Sequence, residues 1–600
     1  MGTAFTIDTP IRIAKFGISS VISIGDDELC EEMRKVHSEE NNRPFTEIKK
    51  WDEDYRARRI TAYLNLVQEL VTEQMNELKS ASFESSETLN TYFELLPDAS
   101  PLKQEYIEMN SCDDAEKKAQ MQTALKAQVV PGNIDVNIMT KLDRSNYDRQ
   151  GNLLDDKYSD AVSALRGFAN STLESGVVFS AGFNRRLFAQ LEGLSDFYPD
   201  ENGYIKKKII LKVSDYRSSW TQGKFLAKKG IWISEYRVES GLNCGGHAFA
   251  TEGVLMGPIL DEFKQQRDTL VDGLYEIYSK VLSSKAYPVP TKEELPNLIT
   301  VQGGIGTANE QQFLLTHYEL QRTGWATPFL LVPEVTILDD ETRAKLTTAT
   351  KKDLYLSGVS PLGVPFNTLR GTASEAQKQE RIEIGKPGSA CPKGHLVNNT
   401  EFTEKPICTA SRLYQNKKIK ELNSQGLSVG HLKTAIQKVV DKVCLCEDLA
   451  ASSLIQFKVN NKRSLKTAVC SGPNMAYFSK LCSLSEMVGH IYGRVNVLNQ
   501  TYRANMLINE FKMYIDHFRK EMTAALPVPT KIQRNRFIAF RDNLLAGATY
   551  YKDLIPKLIQ ETAEYRHQMK EDLNQLKEEL DQLIDEYQVV FKELPCMATA

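Results

Sequence analysis

The sequence predicts an α/β protein: a (β/α)8 barrel of the TIM type that carries a helical insertion and a mostly helical C-terminal part. From about residue 150 to 335, apolar stretches of strand length alternate with amphipathic stretches of helix length, a pattern typical of parallel βα units. The strand stretches are almost continuously apolar, as in a sheet covered on both faces. No GxGxxG motif follows a first strand, so a barrel is favoured over a doubly wound dinucleotide-binding sheet.

The barrel is assigned to residues 1–30 and 130–378. Its first unit is predicted from the strand-like IRIAKFGISSVISI, which leads into an Asp-Asp helix start and the helical DELCEEMRKVH. A second strand, IDVNIM, follows Pro131-Gly132. The later strands are predicted at GVVFSAG, KKIILKVS, IWISEYRV, NLITVQGG and WATPFLLVP, each preceded by a helical stretch.

Three other regions complete the predicted organisation. Residues 31–129 are polar with apolar positions at helical spacing, which indicates a helical insertion. Residues 379–500 carry most of the cysteines, and residues 501–600 form a C-terminal helical region. Its last helix has a heptad seam of Met569, Leu573, Leu576, Leu580, Leu583, Tyr587 and Val590. The seam predicts either pairing with another subunit in a homo-oligomer or packing on helices of the same chain.

The composition is that of a soluble globular enzyme, and we expect its substrate to be a small molecule. A formal net charge of −4 gives no electrostatic reason to expect nucleic-acid binding. No apolar run approaches the roughly 18 residues that a membrane helix needs, and the N-terminal residues lack the pattern of a secretory signal. The default expectation is a cytoplasmic protein without a membrane partner.

Two glycine motifs follow successive predicted strands. Gly245-Gly246-His247 comes after IWISEYRV, where glycines would let the backbone approach a flat or phosphorylated ligand and His247 would be a candidate acid or base. A histidine after glycines is also a common turn residue. The second motif, Gly303-Gly304-Ile305-Gly306, lies between a strand and a helix start, which is where barrels bind phosphate. Ala326-Thr327 on the next unit would complete the site; the alternative is an ordinary βα turn.

In this order, the motifs resemble those of nitronate monooxygenases (the 2-nitropropane dioxygenase-like barrels) and of related enoyl reductases, including those of polyunsaturated fatty acid synthases. These proteins have a Gly-Gly-His, then a Gly-Gly-Ile turn and a Gly-Thr-x-Phe strand that share the phosphate of FMN. The resemblance covers roughly residues 8–30 and 130–375. It implies FMN as cofactor, with its phosphate at the second motif and at Ala326-Thr327.

The same resemblance adds two strand residues and shows three departures. It places Asn137 near the flavin and Lys212 near the pyrimidine edge, where a lysine would stabilise negative charge on the reduced ring. The sequence departs from the family at Lys15-Phe16-Gly17, where a Pro-Met is usual, at Asn243-Cys244 before the first motif, and at Ala326 in place of a glycine. These departures leave the substrate open.

Five cysteines form a second candidate site: Cys391, Cys408, Cys444, Cys446 and Cys470. Cysteines clustered in a cytosolic chain indicate metal or redox chemistry sooner than disulfides. The set is compatible with a [4Fe–4S] cluster or structural zinc, but it has neither ferredoxin spacing nor paired CxxC motifs, so unligated thiols remain an alternative. Cys482, in an apolar helical stretch, is expected in the core.

These observations predict an FMN-dependent oxidoreductase in which His247 is the acid, base or orienting donor. An iron–sulfur cluster, if present, would relay electrons between the flavin and a carrier protein. One alternative is an enoyl reductase-like component of a synthase. The other is a non-catalytic assembly subunit whose helical regions bind partners.

Overall fold

The computed structural model describes residues 4–180, 182–459, 465–526 and 529–591. Ala181, in the turn after the predicted GVVFSAG strand, and residues 592–600 of the C-terminal region lie outside the described residues. The described strands, in chain order, are β1 Ser20–Ile24, β2 Ile134–Ile138, β3 Gly176–Phe179, β4 Lys208–Val213, β5 Ile233–Glu239, β6 Gly246–His247, β7 Leu298–Gln302, β8 Arg322–Gly324, β9 Leu354–Ser357 and β10 Phe366–Leu369.

Seven of these strands form one parallel sheet in the order β1-β2-β3-β4-β5-β7-β8. The sheet curls into a half-barrel, and in the described residues no strand pairs β8 with β1. The α/β class and the parallel βα rhythm are therefore confirmed, but a closed eight-stranded barrel is not. The remaining strands form a separate antiparallel sheet in the order β6-β10-β9.

The first and last predicted strands of the sheet, IRIAKFGISSVISI and WATPFLLVP, are wrong in part. The chain from Thr9 to Phe16 forms an α-helix and a 3-10 turn, which end at Gly17 with φ 73°, so β1 begins only at Ser20. Lys15-Phe16-Gly17 therefore lie before the first strand, not near its end. After β8 the chain forms the 3-10 helix Thr327–Leu331 instead of continuing the strand WATPFLLVP. Pro328 at its start has no N–H to give to a sheet.

The segments before β1 and after β8 meet through side chains instead of through a strand. Phe5 and Ile13 share a buried cluster with Leu330 and Leu331. The Thr9 hydroxyl donates a 2.8 Å hydrogen bond to the carbonyl of Val335. Helical turns thus connect the two edges of the sheet.

The two faces of the sheet differ. One face is apolar and belongs to the main hydrophobic core, and Tyr236 on this face packs near Phe263 of the long helix Met256–Ser284. The other face carries polar side chains on β2, β4, β5 and β7. The prediction that the strands are apolar on both faces is therefore wrong for this inner face, which is covered but carries polar side chains such as Glu235 and Thr300 that hydrogen-bond to each other.

Helices connect the strands and fill the predicted insertion. Between the strands lie Asp27–Glu40, Asp160–Ala169, Arg185–Gln190, Tyr216–Ala227, Met256–Ser284, Ala308–His317 and Asp340–Thr348, and Ala373–Glu383 follows β10. The insertion consists of Tyr55–Ser80, Glu87–Glu94, Pro101–Asn110 and Ala115–Ala127. The expected helix start is present: the Asp26 side chain accepts hydrogen bonds from the N–H groups of Glu28 and Leu29.

The region after residue 400 is mainly helical. Its helices are Arg412–Ser424, Val429–Val440, Leu445–Asp448, Ala451–Gln456, Leu484–Ile491, Met506–Ala525, Lys531–Leu554, Ala563–Glu586 and Gln588–Phe591. The heptad seam of the helix Ala563–Glu586 packs inside the chain: Met569, Leu573, Leu580 and Leu583 are buried in the same core as the sheet. The seam is therefore used within the chain, the second of the two predicted roles. Within the described residues, no helix combines the length and the apolar character needed to cross a bilayer.

Candidate functional site

A row of polar side chains lies at the carboxyl ends of β4, β5 and β7. Lys212 Nζ stands 2.8 Å from Glu239 Oε2, and Gln302 Nε2 donates a 2.6 Å hydrogen bond to Glu239 Oε1. The strand register places Asn137 of β2 on the same face, since Asn137 aligns with Val178 and then with Ile210, two residues before Lys212. The parallel sheet thus brings together two predicted residues, Asn137 and Lys212, with two that were not predicted.

Alternation within β5 explains why these polar groups face inward. Glu235, Arg237 and Glu239 share one face, while Tyr236 and Val238 between them are buried in the core. Glu235 is itself buried and hydrogen-bonded, accepting from Thr300 Oγ1 at 2.6 Å and from Arg237 Nε at 2.7 Å. The inner face is therefore a connected polar network, and Glu239 and Gln302 could have been found from this alternation.

His247 lies beside this row, on β6. Its Nε2 is 2.7 Å from the hydroxyl of Ser360, and its ring meets the edge of Phe366 with centroids 5.0 Å apart. Burial, followed by the positive charges of Lys141 and Lys212, lowers the pKa of His247 from its ordinary 6.5 to about 4. The imidazole is therefore neutral at pH 7, where it can donate or accept a hydrogen bond but is a weak base.

Lys141 supplies a second positive charge at the mouth. It follows β2, and its ammonium group lies 3.7 Å from the centre of the Phe249 ring. Burial lowers the pKa of Lys141. Because Lys212 is offset by Glu239, the Lys141 ammonium and the second ring nitrogen of neutral His247 are, among the described residues, groups that can meet a negatively charged ligand.

The glycines of the first motif, Gly245 and Gly246, lie where another segment of the chain packs closely against the turn. A Cβ on Gly245 would lie 2.2 Å from the carbonyl oxygen of Cys470, and Gly246 has φ 78°. The segment around Cys470 therefore packs directly against the turn. Cys470 belongs to the hydrophobic cluster around Phe366, whereas Cys391, Cys408 and Cys446 belong to another.

Side chains of the protein also pack closely against the glycines of the second motif, Gly303-Gly304-Ile305-Gly306. Gly303 and Gly304 have φ values of 105° and 81°, and a Cβ on Gly304 would lie 2.1 Å from the side-chain amide of Asn243. A Cβ on Gly306 would lie 2.6 Å from the guanidinium of Arg503. Protein atoms therefore approach these positions closely, and Gly303 and Gly304 also have a backbone conformation that favours glycine.

Glu310 occupies the position at the helix start where the sequence predicted a phosphate. It lies in the first turn of the helix Ala308–His317 and accepts hydrogen bonds from the N–H of Gly306 at 2.8 Å and of Met506 at 2.7 Å. Arg503 balances its charge at 2.7 Å and also donates to the carbonyl of Gly304 at 2.6 Å. A buried carboxylate of the chain thus takes the Gly306 N–H of this turn.

Ala326 and Thr327 lie just after β8 and not within a strand, in contrast to the prediction for WATPFLLVP, and Thr327 binds the chain itself. Its hydroxyl accepts a 3.1 Å hydrogen bond from the N–H of Gly472, and Asn474 donates to the carbonyl of Ile305 at 2.8 Å. The segment 470–474 therefore lies between the two turns that were predicted to share a phosphate. As they stand, these residues do not fit the phosphate of FMN.

The other predicted cysteines lie close to one another. Cys391 and Cys408 are hydrogen-bonded to each other, as are Cys444 and Cys446. The two pairs are near neighbours, since charge on one pair raises the pKa of thiols in the other. Within the described residues, no group of three or more His, Cys, Asp or Glu side chains already stands in a geometry that would hold a metal ion.

Comparison with known proteins finds a similar solved structure but no match in sequence. No family model matches the chain, and no curated protein matches it in sequence. Among solved structures, it is similar to the enoyl reductase domain of MlnA from the macrolactin biosynthesis cluster of Bacillus amyloliquefaciens, at 12% identity and a TM-score of 0.32. The similarity covers 66% of this chain and 86% of that domain.

Proposed function

We propose that the mouth of the half-barrel is the active site of an oxidoreductase-type enzyme that binds a small anionic substrate. The observation that carries the proposal is the position of neutral His247 beside Lys141 and the Lys212–Glu239 pair, at the carboxyl ends of the strands. This is where enzymes built from parallel βα units bind their substrates.

The chemistry of these groups suits a substrate that carries or develops negative charge on oxygen. The Lys141 ammonium would attract the anion, and the neutral imidazole of His247 would donate a hydrogen bond to its oxygen without itself carrying charge. Ser360, 2.7 Å from Nε2, would hold the ring and its tautomer in place. Glu239 would keep the Lys212 ammonium at a fixed position on the floor of the site.

The oxidoreductase class rests on the resemblance of the two glycine motifs to nitronate monooxygenases and enoyl reductases. Because Glu310, Arg503 and the segment 470–474 fill the turns expected to hold the phosphate, a flavin would need other contacts for that group. The roles given above to His247, Lys141 and Lys212 do not depend on it.

The test begins with anaerobic purification of the full chain, its absorbance spectrum, and assay of released flavin. Alkyl nitronates and unsaturated acyl thioesters with NAD(P)H are then offered as substrates. Lys141→Met and His247→Gln should lower kcat/KM at least tenfold, while Lys280→Met on an exposed helix position should leave it unchanged. Absence of both flavin and turnover would exclude the oxidoreductase.

A second function is favoured by a specific observation: the chain fills its own glycine turns. A non-catalytic subunit would keep these glycines for packing alone, as the contacts of Gly245 and Gly304 require. It predicts a colourless protein in which His247→Gln and Lys141→Met change no binding or activity. The enzyme proposal predicts an anion-dependent shift of the His247 ring resonances, which the subunit proposal does not.

A further inference from the structure

Four cysteine side chains from three separate segments meet beside the loop that carries Ser360. They are Cys391, Cys408, Cys444 and Cys446. Three of them contribute to one small hydrophobic cluster that also contains Leu396 and Leu362. The first and last of these cysteines are more than fifty residues apart in the sequence, so the fold brings them together.

Backbone amides point at these sulfur atoms. Three of the four sulfurs accept a hydrogen bond from an N–H group two or three residues further along the chain. The donors are Gly394 for Cys391, Ala410 for Cys408 and Glu447 for Cys444. Hydrogen bonds of this kind stabilise a thiolate, the form in which cysteine binds a metal.

The backbone at Cys391 is strained in a way that this role would explain. Cys391 has φ 53°, a conformation that favours glycine, and Gly394 in the same tight turn has φ 71°. The turn Cys391-Pro392-Lys393-Gly394 thereby brings the Gly394 N–H back to the Cys391 sulfur. Strained positions of this kind persist where the surroundings hold them in place, and they cluster at functional sites.

The turn is anchored to the carboxyl end of β1. Lys393 Nζ lies 2.5 Å from a carboxylate oxygen of Asp26, and His395 Nε2 lies 3.5 Å from the other. Arg144, in the loop after β2, donates a 2.8 Å hydrogen bond to the carbonyl of Gly394. All of these side chains are mostly buried, so the turn is part of the protein interior near the mouth of the half-barrel.

The cysteine segments also hold the loop of Ser360, the partner of His247. Thr409 Oγ1 donates to the carbonyl of Pro361 at 3.0 Å, and the N–H of Val443 donates to the carbonyl of Val359 at 3.1 Å. One bond therefore comes from the residue after Cys408, and the other from the residue before Cys444. The segments that carry the cysteines are therefore hydrogen-bonded to the residues on both sides of Ser360, the partner of His247.

We propose that Cys391, Cys408, Cys444 and Cys446 are the ligands of one thiolate-bound metal centre that fixes the Ser360 loop. Four thiolates so close together would repel one another, and a soft cation is the group that neutralises them. The two hydrogen-bonded pairs must close onto the metal as the thiol protons leave. Zinc and an iron–sulfur cluster share this ligand chemistry, whereas Cys470, beside Gly245, is not a ligand.

The test is the metal content of the full chain, expressed with zinc and iron supplied and purified anaerobically without chelator. Zinc at about one per chain, or iron with acid-labile sulfide, supports the proposal, and the two results tell the sources apart. The double variant Cys408→Ser/Cys446→Ser should lose the metal, while Cys470→Ser and Cys112→Ser should keep it. A chain without metal, or a double variant that retains it, overturns the proposal.

A second measurement, made on the unsubstituted chain, tests the proposal even if the double variant does not fold. In the unsubstituted chain, the four thiols should resist maleimide labelling until a chelator removes the metal, as peptide mass spectrometry would show. Cys112, which is partly exposed and outside the group, reports the unprotected rate. Labelling of the four thiols at the same rate before and after chelation, or recovery of a Cys391–Cys408 disulfide, contradicts the proposal. Neither measurement depends on the reaction at His247.

Discussion

Arg503 holds the carboxylate of Glu310 through two nitrogens, at 2.7 and 2.9 Å, and both side chains are almost completely buried. The pair joins the turn after β7 to the start of the C-terminal helices, because Glu310 also accepts from the N–H groups of Gly306 and Met506. A turn that the sequence marks as a phosphate site is thus closed by an internal ion pair.

Arg503→Met should destabilise the chain strongly. It leaves the Glu310 carboxylate buried without its counter-charge, a situation that costs about 3–5 kcal/mol in other proteins. The free energy of unfolding from urea titration measures the loss. Lys280→Met, which removes an exposed partner on the helix Met256–Ser284, should cause no measurable change. Equal stability of the two variants would show that the buried pair is not structural.

Gly245→Ala distinguishes packing from ligand binding at the first glycine motif. The added methyl would lie 2.2 Å from the carbonyl oxygen of Cys470, a backbone atom, so the variant should lose about 1–3 kcal/mol of stability. Gly193→Ala is the matched control, because nothing lies within 4 Å of its Cβ position. An unchanged melting temperature together with lost flavin would favour a cofactor at Gly245 over the packing contact.

The charge state of His247 should change well below neutral pH. Its pKa in the folded chain is about 4, against the ordinary 6.5, because burial and the two lysines disfavour the imidazolium. The unfolded chain therefore takes up a proton first as the pH falls below 6.5. The contribution of this group to stability is complete above pH 6.5 and declines down to about pH 4.

NMR titration of the ring nitrogens of His247 tests this expectation, with His247→Gln used for assignment. Lys141→Ala should raise the pKa of His247 toward 6.5, since it removes one of the two positive charges. An unshifted pKa of 6.5 in the unsubstituted chain would mean that the ring is open to solvent and not seated beside Ser360.

Leu580→Ala should destabilise the chain without changing its oligomeric state. Leu580 is fully buried in the shared core, and truncation of such a leucine costs about 2–5 kcal/mol. Val589→Ala, at a position that is 52% exposed, is the control and should have little effect. Sedimentation velocity and urea unfolding measure the two properties. Dissociation of an oligomer by Leu580→Ala at unchanged chain stability would restore the intersubunit role of the seam.

Local sequence signals were enough for most of the individual elements. The alternation of strand-like and helix-like stretches predicted the strands β2 to β5 and β7 and their helices. It could do so because the spacing of apolar residues indicates which side chains must be buried. The Asp26 helix start and the helical insertion followed from capping and spacing. The heptad seam was visible as well, but its partner was not, since a seam looks the same whether it packs within a chain or between chains.

The edges of the sheet were predicted poorly because closure is a non-local property. IRIAKFG and WATPFLLVP have the apolar character of strands, yet helical turns form there because those segments pack on each other and not in a ladder. The inner face was misjudged for the same reason. Glu235 is tolerated in a buried strand only because Thr300 and Arg237 satisfy its carboxylate.

For the candidate sites, the sequence by itself determined the residue types and the strand ends at which they lie. It placed His247, Lys212, Asn137 and the glycine turns at the mouth, and it indicated four of the clustered cysteines. Only the tertiary structure decided what fills the turns. Arg503 and the segment 470–474 come from parts of the chain more than a hundred residues away from these turns, so their contacts depend on the tertiary fold. Glycine permits close approach of any atom, so its presence alone could not tell a ligand from the chain itself.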